Sequence, residues 1–546
     1  MRQITPFLAR FWKVNAAWLV PLLLTGAAAV LAWPHLSSPG LYYDEAVFAG
    51  QARDLLTGET FGSHMPGSVA VAVAGRPWPL FVQGYIGGLK SLLLAPFLAL
   101  AGCTTEAVRG ATLLWALAGL WLSLLLARRL LGGAAAAIAG LLLAFDPSFL
   151  LLAVHDWGLG ALSLVLRVGG FLVLVSAVRR DDPRRWFAAA LLFGLSFFHK
   201  MDSIVPLAAM GAAAVWSHGG IVGRIVRTRL GSLAFAGAGL LLGAGPILCN
   251  LHAMGRSAVP NSSVLSEWPE KLRILWSLLD GSYFLRLMEV GGRFDRVFAA
   301  DTPVVSGLLV WLVCAALAWL ALFSLAAPSD DNRSLARWLV AALALSWVGL
   351  LFLPGACRGH HWQQVYPLPH FAVALAWTRA WETAPARRFV RCALVLLLVA
   401  VLAADVRIMS ATRALVQRTG GRGWWSDTIS AFCREYETRR DLTIVSMDWG
   451  FHEQLLFLTR GPKLDEPIWR RDMTGPWRFD IPASLSTIYL VHPPEYGLMP
   501  SNRAFWNLVQ GYGDGAAEQR VYRDREGRPA FVAVRWLRAP GGPQPP

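Results

Sequence analysis

Long apolar runs recur along the chain and predict a polytopic membrane protein made of α-helices. A spanning helix needs about 20 mainly apolar residues, and about eleven runs meet or approach that length. They lie near residues 17–33, 108–127, 132–151, 160–178, 186–198, 203–217, 230–249, 304–327, 336–354, 366–382 and 389–405. No small-residue cleavage site follows the first run, so we interpret it as a spanning helix and not as a removable signal.

The basic residues between the runs predict which side of the membrane each segment occupies. If the N-terminus is cytoplasmic, every inner segment is rich in arginine, as the positive-inside rule requires. These arginines are Arg128, Arg129, Arg179, Arg180, Arg184, Arg185, Arg224, Arg227, Arg229, Arg333, Arg337, Arg387, Arg388 and Arg391. The same count places outside the cytoplasm residues 34–107, 152–159, 199–202, 250–303, 355–365 and all those after 406.

The pattern changes after about residue 415 and predicts a small α/β domain outside the membrane. Strands are favoured by β-branched and apolar alternation, and helices by amphipathic periodicity. The predicted elements are strands at 442–446 and 487–491, helices at 453–459 and 503–510, and a hairpin at 519–536.

We therefore expect a transmembrane domain at 1–414, an extracytoplasmic α/β domain at 415–540 and a disordered tail at 541–546. Two outer loops of the first domain, 34–107 and 250–303, are long enough to hold structure of their own. In the first of these loops we expect helices lying along the membrane.

Composition supports the membrane class. Hydrophobic residues make up 55% of the 546 residues, 25 of them tryptophan, and the mean hydropathy is +0.46, which argues against a soluble enzyme. The net charge of +15 comes mostly from clusters beside apolar runs, so it indicates topology and not nucleic-acid binding. The six scattered cysteines lack zinc-ligand spacing and indicate no disulfide framework.

Two adjacent carboxylates, Asp44 and Glu45, follow the first apolar run at a predicted membrane boundary. Acids are favoured in the first turn of a helix by its dipole, so a plain helix start is one explanation. The neighbouring Tyr43, Val47 and Phe48 make this helix amphipathic and able to lie in the membrane interface. We therefore take both acids as candidate functional residues.

Two further polar clusters fall on the predicted outer side. His155 and Asp156 occupy a short loop between two spans, where they could simply cap helices. His199, Lys200 and Asp202 lie between two short apolar runs. A lysine there could extend its head group to the interface, but charge in hydrocarbon is costly and favours a functional Lys–Asp pair.

A fourth cluster runs from Arg358 through His360 and His361 to Tyr366-Pro367. Prolines free backbone groups, which is tolerated at membrane depth only where the segment is buried in protein or lines a cavity. Adjacent histidines make a weak metal site because neighbouring side chains diverge. As an anion site the cluster is stronger, since its Arg, His and Tyr side chains can all donate hydrogen bonds.

Cations in two clusters and carboxylates in the others suggest that an anionic group leaves while a base takes a proton. Glycosyl transfer from a lipid-linked phosphosugar fits this chemistry. One alternative is a nucleotide-sugar enzyme with Asp181 and Asp182 as metal ligands, but those acids lie in an Arg-rich turn before Pro183. Another is a transporter or flippase with charges along its path, although we find no internal repeat in the chain.

The order of these motifs resembles the C-type glycosyltransferase superfamily. An acidic pair follows the first span, a polar loop the third and a lysine the fifth, and a His/Tyr–Pro element precedes a late span, across residues 10–405. Within the superfamily the chain is most similar to the family 39-like and aminoarabinose-transferase-like branch, relatives of the protein O-mannosyltransferases. The resemblance implies a polyprenyl-phosphate sugar donor, a lipid, glycan or protein acceptor, and an active site outside a bacterial inner membrane.

The resemblance also implies roles for single residues. Asp44 would be the base of an inverting displacement, while Glu45 and Asp156 would orient the substrates or hold a divalent cation. The residues implied in binding the lipid phosphate or the sugar are Lys200, His199, Asp202, His155, Arg358, His361, Tyr366 and Lys90. Asp44, Asp156, Lys200 and Tyr366 are therefore expected around one cavity at the outer membrane face.

The chain departs from the aminoarabinose-transferase pattern at one position. That pattern has a lysine directly before a proline late in the first loop, whereas this chain has Arg76 before Pro77. Either Arg76 or Lys90 would have to take over the role of that lysine.

Overall fold

A computed structural model describes residues 4–60, 62–254, 267–299, 305–325, 331–353, 358–383, 388–469, 486–511 and 515–537. The expected tail at 541–546 lies outside these ranges, as do two parts of the outer loop 250–303, namely 255–266 and 300–303.

Helices dominate the described part of the chain. In chain order they are α1 (Ile4–Ala32), α2 (Tyr43–Thr57), α3 (Leu89–Ala101), α4 (Thr105–Leu131), α5 (Gly133–Phe145), α6 (Pro147–Val154), α7 (Gly160–Arg180), α8 (Pro183–His199), α9 (Ile204–Thr228), α10 (Leu230–Met254), α11 (Trp268–Leu279), α12 (Tyr283–Glu289), α13 (Leu309–Leu325), α14 (Asp331–Leu351), α15 (Gly359–Trp362), α16 (Leu368–Thr383), α17 (Arg388–Thr419), α18 (Thr428–Tyr436), α19 (His452–Leu458) and α20 (Pro500–Gly511).

The strands are β1 (Val69–Val73), β2 (Arg76–Gln83), β3 (Ile86–Gly87), β4 (Thr443–Ser446), β5 (Lys463–Asp465), β6 (Thr487–Val491), β7 (Ala517–Arg523) and β8 (Pro529–Trp536). The predicted fold class, a helical membrane protein with a small α/β region near the C-terminus, is confirmed. All the strands and helices predicted in that region are present, within a few residues of their expected bounds.

Each predicted apolar run contains a helix, but fewer helices are long enough to span a membrane by themselves. Among the described residues seven helices are long and apolar enough, or eight if α5 and α6 form one bent span. The predicted count of about eleven spans is therefore not confirmed, because helices such as α13 are apolar but shorter.

By internal contacts the chain divides into two compact units. The first unit, residues 1–34, 112–284 and 304–410, holds most of the apolar helices and is called the membrane unit. The second, residues 35–111, 285–303 and 411–546, is called the outer unit after the side of the membrane that the sequence predicts for it. The outer unit thus groups the C-terminal α/β region with most of the first long loop. The expected division at residue 414 stays a prediction.

Small residues bring two helices of the membrane unit close together. A Cβ atom added to Gly239 of α10 would lie 2.3 Å from the carbonyl oxygen of Phe187 of α8, and one added to Gly243 would lie 2.6 Å from that of Leu191. Glycine at these positions lets the two backbones approach closely. Helices in a bilayer commonly associate in this way, because the hydrophobic effect does not drive their packing there.

A bend separates α5 from α6 at Asp146. The two helices meet at 57°, because Pro147 lacks the amide hydrogen that would continue the helix. Asp146 caps the new helix by accepting hydrogen bonds from the backbone nitrogens of Ser148 (2.8 Å) and Phe149 (3.2 Å). Its other oxygen lies 3.0 Å from Nε2 of His370, and both side chains are buried.

The outer unit contains two sheets. One is a three-stranded antiparallel sheet in the order β1-β2-β3. It was not predicted, since Pro77 and Pro79 break the strand pattern of β2. The other has the order β5-β4-β6-β8-β7. In it β5, β4 and β6 are parallel to one another, and β8 pairs antiparallel with both β6 and β7.

Helices cover both faces of the five-stranded sheet. Ile444 and Leu490 face a core with α18 and α19, whereas Val445 and Val491 face a core with α20. Neighbouring residues of a strand point to opposite faces, so this alternation explains why the strands of this region were predictable.

Candidate functional site

Lys200 lies in a tight turn of the membrane unit, between α8 and α9. Its ammonium group donates a hydrogen bond to the carbonyl of Gly158 (3.1 Å) and pairs with Asp202 (3.3 Å). The same oxygen of Asp202 lies 2.5 Å from Nδ1 of His361. Lys200 and Asp202 are 2% and 9% exposed, and His199 is buried at the end of α8. A cation, an acid and a histidine from two distant segments therefore meet here.

The loop of Asp156 packs against the same group. Asp156 is buried and accepts a hydrogen bond from the backbone nitrogen of Ala161 (3.2 Å), at the start of α7. His155 stacks on Phe284 with ring centroids 4.8 Å apart, and the indole of Trp157 donates to Nδ1 of His360 (2.9 Å). Together with the bond from Lys200 to Gly158, these contacts join three of the polar clusters into one.

Arg358 pairs with a residue outside the group formed by Lys200, Asp202 and His361. Its guanidinium pairs with Glu270 of α11 at 2.7 Å, and both side chains are partly exposed. Tyr366, eight residues further on, is buried and lines a cavity.

That cavity has a volume of about 710 Å³ and lies among α4, α7, α8, α9, α10, α14 and the start of α16. Its wall is mostly leucine, phenylalanine, valine and alanine, and Arg167, His218 and Tyr366 add polar atoms. Ile204, also in the wall, follows Asp202 by two residues. The cavity can hold a long apolar chain, and it has a cation in its wall.

Arg167 was missed by the sequence analysis. It is a buried arginine on α7, and its guanidinium donates a hydrogen bond to the side-chain oxygen of Gln364. The signal was available, because a lone arginine inside an apolar run of a spanning helix is costly and marks a functional candidate. The buried Asp146–His370 pair was missed in the same way.

In the outer unit, the two carboxylates of α2 have different surroundings. Glu45 accepts a hydrogen bond from the backbone nitrogen of Tyr42 (2.8 Å) and pairs twice with the guanidinium of Arg109, at 2.8 and 2.9 Å. The remaining donors of Arg109 bond the carbonyls of Pro39 (2.7 Å) and Gly40 (2.8 Å). Asp44 is partly exposed. Glu45 thus has a structural role in this geometry, and Asp44 is the more accessible acid.

The two candidates for the family's first-loop lysine also differ. Arg76 is exposed and donates to the carbonyls of Leu55 (3.2 Å) and Leu56 (2.7 Å), so it closes the C-terminal end of α2. Lys90 is fully buried on α3, with its ammonium 4.6 Å from the centre of the Phe48 ring.

A histidine between two acids joins α2 to α19 within the outer unit. His64 contacts Asp54 (2.8 Å) and Glu453 (3.1 Å), and Glu453 also accepts from the backbone nitrogen of Met65 (3.0 Å). Burial alone would lower the pKa of His64, but the two carboxylates outweigh it and raise this pKa to about 10. At neutral pH the imidazolium therefore holds the two elements together.

The predicted site residues thus fall into two groups. Asp156, Lys200, Asp202 and His361 are connected within the membrane unit, while Asp44 belongs to the outer unit. The expectation that the two groups share one cavity stays a prediction. Within the described ranges, no three or more His, Cys, Asp or Glu side chains are arranged to hold a metal ion.

Comparison with known proteins bears on the resemblance. The family model described as dolichyl-phosphate-mannose-protein mannosyltransferase matches residues 89–247. No curated protein matches the chain. Among solved structures, ArnT from Cupriavidus metallidurans bound to undecaprenyl phosphate has a TM-score of 0.53 at 14% identity, over 96% of this chain and 99% of that one.

The chain has the C-type glycosyltransferase fold. The apo form of the same ArnT gives a TM-score of 0.54 at 14% identity, over 97% of this chain and 100% of that one. An oligosaccharyltransferase from Archaeoglobus fulgidus, in complex with Zn and sulfate, gives 0.50 at 12% identity, over 82% of this chain and 62% of that one. The predicted resemblance is confirmed at the level of the fold.

Proposed function

We propose that this chain is an integral membrane glycosyltransferase that moves a sugar from a polyprenyl-phosphate donor to an acceptor hydroxyl or amine outside the cytoplasm. The observation that carries the proposal is the apolar cavity with Arg167 and Tyr366 in its wall. The fold supports it, since a solved structure of similar fold is described as bound to undecaprenyl phosphate.

The cavity fits an amphiphile with an anionic head. Each buried methylene contributes about 0.8 kcal/mol, so a polyprenyl chain gains affinity along the apolar wall. A phosphate needs cations, because charge-assisted bonds to Lys or Arg are roughly twice as strong as neutral ones. Arg167 and Lys200 are buried cations of the membrane unit that can provide them.

In the proposed reaction Asp44 acts as general base. Its carboxylate takes the proton of the acceptor, the acceptor atom attacks the anomeric carbon, and the bond from that carbon to the phosphate oxygen breaks. A single displacement of this kind inverts the anomeric configuration. Lys200 stabilises the negative charge that develops on the leaving phosphate. Asp44 is favoured over Glu45 because the Glu45 carboxylate is occupied by Arg109 and Tyr42.

The first test is binding of undecaprenyl phosphate to the purified protein in lipid nanodiscs. Lys200→Ala and Arg167→Met are expected to weaken binding by about tenfold or more, as loss of one charge-assisted contact implies. Arg224→Ala is the matched control, since Arg224 is an exposed arginine on α9 and does not line the cavity. Unchanged binding in both the Lys200 and the Arg167 variants would overturn the proposed donor site.

The second test is turnover with a panel of polyprenyl-phosphate sugars. At least one donor is expected to release polyprenyl phosphate in the presence of cell-envelope acceptors, and Asp44→Asn is expected to stop this release while the donor still binds. Transport of the intact lipid-linked sugar between leaflets, with no release of polyprenyl phosphate, would instead favour a flippase.

Sidedness is tested by cysteine labelling in intact cells. In a variant without the native cysteines, single cysteines at Thr438, an exposed residue of the outer unit, and at Pro183, an exposed residue at the start of α8, are expected to react from opposite sides of the membrane. Labelling of both from the same side would contradict the proposed topology.

A further inference from the structure

The five-stranded sheet of the outer unit has a parallel part whose carboxyl ends meet at one edge. In open α/β sheets, ligands bind outside the carboxyl ends of the strands. The first polar residues after β4, β5 and β6 are Asp448, Glu466 and His492. Each could serve a ligand or the fold, and their contacts separate the two cases.

Asp448 and His492 serve the fold. Both are buried, and Asp448 accepts hydrogen bonds from Nδ1 of His492 (3.1 Å) and from the backbone nitrogens of Trp449 (2.9 Å), Leu498 (3.1 Å) and Met499 (2.8 Å). These bonds fix the loops that follow β4 and β6, so this part of the edge is closed.

Glu466 is different because it is partly exposed. Its carboxylate accepts hydrogen bonds from the hydroxyl of Tyr43 (3.1 Å) and from the indole nitrogen of Trp469 (2.7 Å). A carboxyl group keeps acceptor lone pairs beyond these two donors, and it adds an O–H donor when it is protonated, so Glu466 has capacity for a ligand. Trp469 is also partly exposed, and the rings of Trp449 and Tyr43 pack with their centroids 4.7 Å apart.

Tyr43 connects this edge to the candidate base. It directly precedes Asp44 in the first turn of α2. Its pKa is raised well above the ordinary value, by burial first and then by the charges of Glu466, Glu453 and Asp44. The charges of three carboxyl groups of the outer unit therefore act on one phenol, and that of Glu466 is in direct contact with it.

We propose that Glu466 and Trp469 bind a sugar ring of the acceptor. An indole offers an apolar face to the C–H groups of a sugar, and the carboxyl group beside it exchanges hydrogen bonds with the hydroxyls. The proposal rests on the assignment of Asp44 as the base, because the hydroxyl of a bound acceptor has to reach that acid. It gives the C-terminal α/β region a role in choosing the acceptor.

The test is saturation-transfer-difference NMR on the full-length protein in nanodiscs, with methyl glycosides of common hexoses and N-acetylhexosamines as probes. At least one glycoside is expected to receive saturation. Glu466→Ala and Trp469→Ala are each expected to weaken its binding by about tenfold. Trp78→Ala is the matched control, since Trp78 is a tryptophan of the same unit that is 45% exposed.

Two outcomes would overturn the proposal. One is that no glycoside receives saturation, and the other is that the variants at 466 and 469 bind as well as the wild type. If Trp469→Ala lowers the melting temperature, the comparison is made with Trp469→Phe, which keeps a smaller aromatic face, loses the bond to Glu466 and is expected to bind the glycoside more weakly than the wild type. Binding of undecaprenyl phosphate in the same samples reports on the donor site, so failure of the proposed function and failure of this inference are distinguishable.

Discussion

Neutralising the two neighbouring acids of α2 is expected to have opposite effects: loss of the Glu45 charge should lower stability, and loss of the Asp44 charge should lower the rate of sugar transfer. Glu45→Gln removes the charge that faces Arg109, and the pair is nearly fully buried, with side chains 2% and 0% exposed. Removing one partner of a buried ion pair costs about 3–5 kcal/mol, because the other charge is left uncompensated. At about 2–4 °C per kcal/mol for a unit of this size, the melting temperature should fall by about 6–20 °C.

Asp44→Asn should leave stability almost unchanged. Asp44 is partly exposed in the first turn of α2, where an acid contributes about 0.3–1 kcal/mol through the helix dipole. As the proposed base, however, its loss should lower the rate of sugar transfer by about 10²–10⁴-fold. The two variants thus separate stability from catalysis.

The assay pairs thermal denaturation in nanodiscs with transfer rates normalised to folded protein. Below its melting temperature, Glu45→Gln should transfer sugar at close to the wild-type rate. A double variant with methionine at both Glu45 and Arg109 is the control, and it should recover much of the lost stability because no unpaired charge remains. If Glu45→Gln stops transfer without a change in melting temperature, the base is Glu45, and the reasoning from the Arg109 pair is wrong.

Three further predictions follow from the same geometry. Folding favours the protonated form of His64, since its pKa is about 10 in the folded protein against an ordinary value of 6.5. The contribution of this protonated side chain to the free energy of unfolding is full below pH 6.5 and is lost as the pH rises through 10. The stabilisation of about 4 kcal/mol at pH 7 should shrink to below about 1 kcal/mol at pH 10, and His64→Gln should flatten the pH dependence of unfolding. Burial, and then the charge of Glu453, raise the pKa of Glu466 to about 8. Carbodiimides react with protonated carboxyl groups, so labelling of Glu466 should occur at pH 7 and disappear above pH 9. Mass spectrometry of the peptide that contains Glu466 measures this labelling. Gly211→Leu should weaken binding of undecaprenyl phosphate and Gly245→Leu should not, since an added Cβ atom meets no atom within 4 Å at either position but only Gly211 lines the cavity.

The sequence pattern was most informative where one side-chain period dominated. Along β4 and β6 every second residue faces one core, and such alternation is visible without knowing what the strand pairs with. β5 was not predicted because it has three residues, two of them charged. Its pairing with β4 depends on the tertiary fold and not on its own sequence pattern. β2 was not predicted because its two prolines are typical of loops. They are tolerated because the stretch that contains them pairs with β1 only, while β3 pairs further along β2.

The chemistry was predictable residue by residue, but its partners were not. The cost of charge in a membrane pointed to Lys200 and Asp202, and the structure pairs them. No local signal connects Arg109 with Glu45, because they are 64 positions apart. Without that contact the two acids of α2 cannot be distinguished beyond the geometry of a helix. Glu466 had no motif around it and emerges only through its bond to Tyr43.

Because of the apolar cavity, the choice of detergent is expected to affect the measured activity. The alkyl tail of a detergent presents the same kind of surface as a polyprenyl chain, and each methylene that enters adds about 0.8 kcal/mol, or roughly fourfold in affinity. Arg167 in the wall favours surfactants with sulfate or carboxylate heads over neutral ones. Solubilised protein is therefore expected to carry a resident inhibitor that exchanges with the donor, and activity lost on extraction should return when the protein is moved into a bilayer.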